Sequence, residues 1–363
     1  MDRRTFLHSA AASAVTVSMT ADEVLATTSR PAPVPNPRAL IMDAMGELRP
    51  IYEPSLVREM LGSGTDAITV TLCDPKPVGA EGLQAAIDGL MEYDRYLAAN
   101  PALFIKATSV AHVDEARRSG RMAVFYLYQN SIQFGEDLDR VEMFRSLGLT
   151  SCQITYNERN FAGVGCRAEG DNGGLTPFGR ELIDRLNSAG ILVDLAHANA
   201  RTMADTIAHS RMPVINSHTG CDAVHPHARN MSDANMRATA ERGGVVGICQ
   251  LRPFLTLKKS DNLHAYFDHI EHAVNVCGIE HVCIGSDRDH RVIEMTPEYE
   301  AELRAEEGSQ VSSSELPYFI DELNGPRRME VVWDGVAARG YSEGDVEKIM
   351  GRNQYRLYRE VIG

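Results

Sequence analysis

Basic residues are too few for a nucleic-acid-binding surface. The 363 residues include 36 Lys and Arg against 50 Asp and Glu, which gives a formal net charge of -14 at pH 7, and no long block of Lys and Arg occurs. Because binding to phosphates depends on a basic patch, this balance argues against DNA or RNA as a partner. The expected partners are small molecules or peptides, and assembly into a homo-oligomer stays open.

Paired cysteine motifs are absent as well. The seven cysteines are scattered along the chain, and none forms a Cys-x-x-Cys pair. This spacing argues against a zinc-thiolate site and against a dense disulfide framework. Since seven is an odd number, at least one cysteine is free or pairs with another chain. Cys249 and Cys283 lie within apolar runs, where we expect small buried side chains.

The sequence also lacks an apolar run near its start that is long enough to cross a bilayer. Instead, Arg3 and Arg4 precede a modestly apolar, alanine-rich stretch at 10–19. This arrangement predicts a twin-arginine signal peptide over residues 1–30, with a disordered basic N-terminus as the alternative. Because such signals direct export, we expect a periplasmic or secreted protein. Alternating prolines at 31–37 predict an extended linker.

Residues 38–363 repeat one pattern, in which an apolar, β-branched run is followed by polar or glycine residues and then by an amphipathic helix. The length and the 44% hydrophobic content fit one large α/β barrel or two smaller domains. The eight runs lie at 39–45, 67–73, 122–129, 151–157, 191–198, 213–218, 244–249 and 281–287. Eight strands separated by helices are typical of a (β/α)8 TIM barrel, and we predict this α/β fold as a single catalytic domain.

Several helix boundaries can be placed from the sequence. Thr176-Pro177 supplies a capping residue and a first-turn proline for a helix that Gly190 ends, and Ser232 precedes another helix. The eighth run is followed by a long segment, 289–316, with an acidic stretch at 297–307. Loops after barrel strands open onto the catalytic face, so this segment is a candidate lid, with a solvated surface helix as the alternative.

Polar residues stand at the carboxyl ends of the runs, where a TIM barrel builds its active site. Two neighbouring runs end on His197 and His218, and the last ends on Asp287. Two neutral imidazoles and one carboxylate, with a position left open, form a common catalytic metal set. A pair of hydrogen-bonded core histidines is the alternative.

Arg229 follows the sixth run and precedes the helix that Ser232 caps. This place lets the guanidinium reach over the barrel mouth, where it would suit bidentate capture of a substrate carboxylate. A surface arginine paired with Asp222 or Asp233 is the alternative.

These motifs resemble those of the membrane (renal-type) dipeptidases, zinc metallopeptidases with an amidohydrolase-like barrel. The similar stretches, in chain order, are 174–179 (GLTPFG), 192–197 (LVDLAH), 213–218 (PVINSH), 228–233 (ARNMSD), 243–247 (GGVVG), 281–287 (HVCIGSD) and 349–353 (IMGRN). The resemblance implies that His197 and His218 bind one zinc ion, that Asp287 is both a ligand and the catalytic base, and that Arg229 binds the substrate carboxylate.

Three motifs depart from the family pattern. In the family, the first strand ends in Asp-x-His-x-Asp, which supplies two ligands. Here Met45 stands at the place of the histidine and Glu47 at the place of the second aspartate. Gln129 replaces the bridging glutamate, and Tyr156, next to Asn157, replaces a histidine that contacts the substrate. Two adjacent dications need anionic ligands to offset their repulsion, and neither a glutamine nor a thioether supplies charge. We therefore expect one zinc ion rather than two, or none, with Glu47 as a further candidate ligand and with Tyr156 and Asn157 in contact with substrate.

The first expectation for function is an exported, metal-dependent hydrolase that cleaves a dipeptide or a related small amide through a metal-activated water. The altered ligands leave two alternatives open. One is a non-hydrolytic enzyme, such as an isomerase, a lyase or a tailoring enzyme, that acts on a peptide-derived molecule. The other is a binding protein without catalysis, because function depends on the site and not on the fold.

Overall fold

The computed structural model describes residues 39–307 and 311–363, without the side chains of 306 and 307. The predicted signal peptide at 1–30 and the linker at 31–37 lie outside the described residues. Within the described part of the chain, no helix combines the length and the apolar character needed to cross a membrane.

A parallel sheet forms the centre of the domain. Its nine strands, β1 to β9 in chain order, are Ile41–Asp43, Thr65–Thr71, Phe104–Ala107, Met122–Tyr128, Leu149–Gln153, Leu192–Asp194, Ile215–Thr219, Val245–Ile248 and Val282–Ile284. Eight of them follow one another in the order β1-β2-β4-β5-β6-β7-β8-β9, and every pairing between them is parallel. The backbone N–H of Ala44 donates to the carbonyl of Ile284 at 2.9 Å, which joins the first strand to the last. The sheet is therefore a nearly closed barrel.

All eight predicted strands are present, and together they confirm the barrel of parallel strands. The prediction missed β3, which pairs only with the first half of β4, from Met122 to Phe125. This strand is only four residues long, and its two central residues, Ile105 and Lys106, are partly exposed. A strand of this length with a lysine in it shows neither a continuous apolar run nor a clear alternation, so periodicity gives little signal.

Helices surround the barrel and connect its strands. The helices α1 to α13 are Pro54–Gly62, Gly79–Ala99, Val110–Ser119, Arg140–Ser146, Pro177–Ala189, Ala200–His209, Asp233–Glu241, Arg252–Leu255, Leu263–Cys277, Pro297–Glu307, Arg328–Ala338, Glu343–Glu347 and Asn353–Val361. Short 3-10 turns lie at Ile132–Phe134, Ile279–His281 and Asp321–Leu323, and a π-helical turn lies at Lys348–Arg352.

The predicted helix boundaries agree with the structure. The Thr176 hydroxyl accepts the backbone N–H of Gly179 at 2.9 Å, and Gly190 ends α5 with φ of 66°, in the left-handed region that glycine favours. Ser232 caps α7 in the same way, through the N–H of Asn235. These local side-chain bonds satisfy helix-end donors without help from the rest of the fold, which is why the sequence alone could place them.

The barrel interior is apolar at one end and polar at the other. Interior residues from several strands pack with α13 in one cluster, which includes Met42, Ala67, Phe125, Leu192, Ile215, Val245 and Cys283. The Phe125 ring packs edge-on against Tyr358 of α13 at 5.0 Å, and the Tyr358 hydroxyl hydrogen-bonds Thr69 at 2.7 Å. Because α13 closes this end, only the carboxyl ends of the strands are left for a site. None of the seven cysteines, all within the described ranges, forms a disulfide, and Cys249 and Cys283 are buried as predicted.

Candidate metal and substrate site

Two histidines meet at the carboxyl ends of β6 and β7. His218 lies within β7, as predicted. His197, however, is not the last residue of its strand: β6 ends at Asp194, and His197 lies in the following turn with φ of 66°. A left-handed conformation is unfavourable for a residue with a side chain, and such strain is concentrated at functional sites. The turn lets the His197 ring approach the neighbouring strand.

Hydrogen bonds orient both imidazole rings. His197 Nδ1 lies 2.8 Å from the Asn157 side-chain oxygen, so this nitrogen carries the proton. His218 Nδ1 lies 2.8 Å from the Ser217 hydroxyl, which itself donates to Asp194 at 2.5 Å, so His218 Nδ1 is also a donor. The two Nε2 atoms therefore present their lone pairs to each other at 3.1 Å.

Facing lone pairs at this distance fit a cation between the two rings. Tetrahedral zinc with Zn–N bonds of about 2.0–2.1 Å would hold two nitrogens roughly 3.3 Å apart. Both rings are also neutral, as metal binding requires. Burial and the nearby Arg229 charge hold the pKa of His218 well below its usual range, and burial, Arg229, His218 and Arg167 do the same for the pKa of His197.

Asp287 is the nearest carboxylate to this histidine pair. Its Oδ2 lies 3.9 Å from His218 Nε2, and its backbone is left-handed, with φ of 53°. Gly285 lets the chain after β9 lie close to β7, because a Cβ at this position would lie 1.7 Å from the carbonyl oxygen of Ser217. Across the described ranges, no three His, Cys, Asp or Glu side chains are close enough to enclose an ion as they stand. Asp287 would have to turn further toward the imidazoles to complete the set.

The residues at which the family resemblance would place ligands of a second metal, Met45 and Gln129, are neutral. The Gln129 amide nitrogen lies 3.6 Å from the Met45 sulfur, and both residues line the cleft beside the histidines. Neither side chain supplies the charge that a second dication would need. Glu47, the further candidate ligand, is turned to Arg49, with an N–O distance of 2.5 Å. Its role as a ligand stays a prediction, since binding a metal would mean giving up this ion pair.

Arg229 is almost fully buried beside the histidines, with 1% of its surface exposed. One guanidinium nitrogen, Nη2, lies 3.5 Å from the carbonyl oxygen of His218, and the group packs over the ring of Phe254 at 5.5 Å. The other two nitrogens, Nε and Nη1, have no hydrogen-bond partner. The alternative of a surface arginine paired with Asp222 or Asp233 is wrong, because the side chain is buried and lines the cleft. Unpaired buried donors of this kind suit an anionic ligand.

Tyr156 and Asn157, predicted to contact substrate, both line the cleft. The Tyr156 ring stacks on His197, with 4.2 Å between the ring centroids. The Asn157 oxygen is engaged by His197 and also lies 3.6 Å from the Cys166 sulfur. Asn157 therefore orients the imidazole, and contact of either residue with substrate stays a prediction.

A cleft of about 1040 Å³ is lined by His197, Asp287 and Arg229, and the fully buried His218 lies next to His197. Its walls include Ile293, Tyr299 and Leu303, which belong to the predicted lid segment at 289–316. Helix α10 within this segment carries the acidic stretch, as the sequence suggested. The placement agrees with a covering segment, and movement of the segment stays a prediction.

Sequence reasoning missed three residues of the site. Ser217 hydrogen-bonds His218 Nδ1 and donates to Asp194, and Arg288 is buried in the cleft wall. Ser217 directly precedes a predicted ligand, which offered a signal for its role. Arg288 directly follows the predicted ligand Asp287 and offered the same signal, whereas Asp194 gave none, because its role depends on residues brought near by folding.

Residues 54–300 match the family model described as membrane dipeptidase (peptidase family M19). Dipeptidase tcpJ of Claviceps purpurea (strain 20.1) is 28% identical over 247 residues, which are 67% of this chain and 52% of that protein. The chain thus spans about half the length of this relative.

Solved structures share the architecture over almost the whole described chain. An amidohydrolase from Pseudomonas aeruginosa is 26% identical with a TM-score of 0.80, and the match covers 90% of this chain and 98% of that chain. A metallopeptidase from Rhodobacter sphaeroides, liganded with a phosphinate mimic of the dipeptide L-Ala-D-Ala, is 18% identical with a TM-score of 0.73, covering 89% and 99%. At the lower identity the likeness shows the barrel fold alone.

Proposed function

The chain belongs to the membrane dipeptidase family, and from this premise we propose that it is an exported metal-dependent hydrolase of a dipeptide or a related small amide. One observation carries the proposal. Two neutral imidazoles face each other with their Nε2 atoms 3.1 Å apart, and one of them, His197, lines the same cleft as Arg229, whose Nε and Nη1 are unpaired. The first feature suits a metal cation and the second suits the terminal carboxylate of a peptide.

His197, His218 and Asp287 would hold a single zinc ion. Zinc bound there would lower the pKa of a water molecule and polarise the substrate carbonyl. Asn157 and the Ser217–Asp194 pair keep the ligand nitrogens deprotonated and aimed at one point.

The remaining steps belong to the side chains of the cleft. Arg229 binds the terminal carboxylate and thereby fixes the scissile amide relative to the histidines. Asp287 accepts a proton from the attacking water and delivers it to the leaving amine nitrogen. Tyr156, stacked on His197, bounds the substrate on that side.

Elemental analysis and peptide turnover test the proposal together. We expect about one zinc per chain and hydrolysis of simple dipeptides, with the zinc lost in His218→Ala and turnover lost in Asp287→Asn. His209→Ala is the matched control, because this imidazole lies outside the cleft and pairs with Asp184 at 3.4 Å. Zinc-free protein without dipeptide turnover after careful metal loading would contradict the proposal, and two zinc ions per chain would contradict the single-metal site.

Export is a separate part of the proposal and needs its own test. The twin-arginine pair Arg3 and Arg4 motivates it. We expect the protein in the periplasmic fraction of a bacterial host, and we expect Arg3→Lys with Arg4→Lys to retain it in the cytoplasm. Equal distribution of the two forms would refute export by this route.

A non-hydrolytic reaction on the same barrel is the second candidate. The neutral contact between Gln129 and Met45, where the family has charged and imidazole ligands, favours it. Activity on a peptide-derived compound that survives both chelation and His197→Ala would support this reading. Loss of all activity on chelation, restored by zinc, would exclude it.

A further inference from the structure

Arg288 is a buried arginine in the wall of the cleft, with one guanidinium nitrogen that has no hydrogen-bond partner. Only 4% of its surface is exposed, and it lines the same cleft as His197. Its guanidinium packs over the ring of Phe319 at 5.7 Å, and Nη2 is buried without a hydrogen bond. Burying an unpaired charge costs several kcal/mol, so an arginine in this state is matched to a group that arrives from outside.

Two carboxylates that line this cleft, Asp289 and Glu47, are already paired with other arginines. Asp289 accepts the Tyr52 hydroxyl at 2.5 Å and forms an ion pair with Arg291 at 2.5 Å. Glu47 is paired with Arg49. None of these acids neutralises Arg288.

A second buried arginine adds to the positive charge beside Arg288. Arg328 donates to the backbone carbonyls of Gly325, Arg288 and Asp289. Burial, with the charges of Arg328 and Arg288, holds the pKa of the enclosed His290 well below its usual range, so this ring is neutral. Arg288 therefore lies near a second cation and a neutral ring, an arrangement that suits an anion.

Arg288 and Arg229 are separate positions in one cleft. Arg229 packs on Phe254, and its charge lowers the pKa of both metal-site histidines. Arg288 packs on a different ring, that of Phe319. A ligand that satisfies both guanidinium groups must carry two anionic groups at different places.

We propose that Arg288 determines specificity by forming a second anion subsite, so that the preferred substrate is a small peptide-like molecule with two carboxylates, such as a dipeptide with an aspartate or glutamate side chain. This inference rests on the proposed function, in which Arg229 takes the terminal carboxylate. A carboxylate can accept two parallel N–H bonds from a guanidinium group, which gives the subsite a preference for planar anions.

Kinetics with matched dipeptides tests the proposal. The panel is Ala-Ala against Ala-Asp, Ala-Glu, Asp-Ala and Glu-Ala, and the quantity measured is the ratio of kcat/KM for each acidic dipeptide to that for Ala-Ala. We expect a ratio of at least ten for one of the acidic dipeptides. This ratio should fall tenfold or more in Arg288→Met and be partly kept in Arg288→Lys. Arg291→Met is the matched control: it removes the same charge from the same cleft, but its guanidinium is already bound to Asp289, so the ratio should persist. A ratio near one in the wild type, or equal loss in Arg288→Met and Arg291→Met, would overturn the proposal.

Equilibrium binding separates this inference from the proposed hydrolysis. Calorimetry would compare dicarboxylates from succinate to suberate with monocarboxylates of the same carbon number. We expect at least one dicarboxylate to bind tenfold or more tightly than its counterpart, and Arg288→Met to remove this advantage while Arg291→Met keeps it. If no dipeptide is cleaved, the proposed function fails but this series still decides the subsite. A lower melting temperature in Arg288→Met with no change in either selectivity would assign Arg288 to stability alone and refute the subsite.

Discussion

The Ser217 hydroxyl should tune metal affinity through His218. Ser217 Oγ accepts from His218 Nδ1 at 2.8 Å and donates to Asp194 at 2.5 Å, so it links a buried carboxylate to a predicted zinc ligand. Ser217→Ala removes the group that fixes the proton on Nδ1. When a metal-binding imidazole loses a hydrogen-bond partner of this kind, metal affinity typically falls 10–100-fold, which corresponds to about 1.4–2.7 kcal/mol of binding free energy.

The chain contains a closely matched control for this change. Ser286 stands directly before Asp287, and its hydroxyl donates to Asp43 at 2.5 Å, while its N–H donates to the same carboxyl group at 2.9 Å. The corresponding N–H of Ser217 donates to Asp194 at 3.0 Å. The two serines thus bind buried carboxyl groups in nearly the same way, but only Ser217 contacts an imidazole.

The two alanine variants should therefore agree in stability and differ in zinc binding. Each loses one hydrogen bond to a carboxyl group, and we expect each to lose about 1–3 kcal/mol of unfolding free energy in urea titrations. Competition with a chelator of known zinc affinity should show 10–100-fold weaker binding for Ser217→Ala and less than threefold weaker binding for Ser286→Ala. Equal zinc affinities in the two variants would refute the relay from Asp194 through Ser217 to His218.

Three further changes follow from the described contacts. Burial raises the pKa of Asp66 from 3.8 to about 6, so the folded state loses stability as the pH rises from about 4 through 6. Asp66→Asn should remove this loss, which is worth roughly 1–3 kcal/mol of unfolding free energy, and denaturation curves across that pH range would measure it. Met45→His combined with Gln129→Glu should raise the zinc content from one ion per chain to two, measured by elemental analysis, and an unchanged content would count against the account of the missing metal. Gly285→Ala places a Cβ 1.7 Å from a backbone carbonyl oxygen and should cost about 3 kcal/mol or more in unfolding free energy, whereas Gly344→Ala, with its nearest atom at 4.0 Å, should cost little.

The general plan of the barrel was accessible from the sequence because it depends on local patterns. Each predicted strand is a buried apolar run, and a helix cap such as Thr176 is formed by residues three apart. The strand β3 escaped because it is short, partly exposed and paired along one edge only. The histidine pair was predicted correctly as a meeting of neighbouring strand ends, although His197 lies in a turn beyond its strand.

The partners of the site residues were decided only by the tertiary structure. Asn157 and His197 are forty residues apart in the chain, yet their hydrogen bond fixes which imidazole nitrogen faces the cleft. Glu47 pairs with Arg49, two residues away, although its position had suggested a metal ligand.

By itself, the sequence determined eight of the nine strands, the place of His197, His218 and Asp287 at or just beyond strand ends, and the presence of neutral residues at Met45 and Gln129. Folding alone decided that Arg288 is buried beside the site with its Nη2 unpaired, because burial and pairing of a charged side chain depend on contacts between distant parts of the chain.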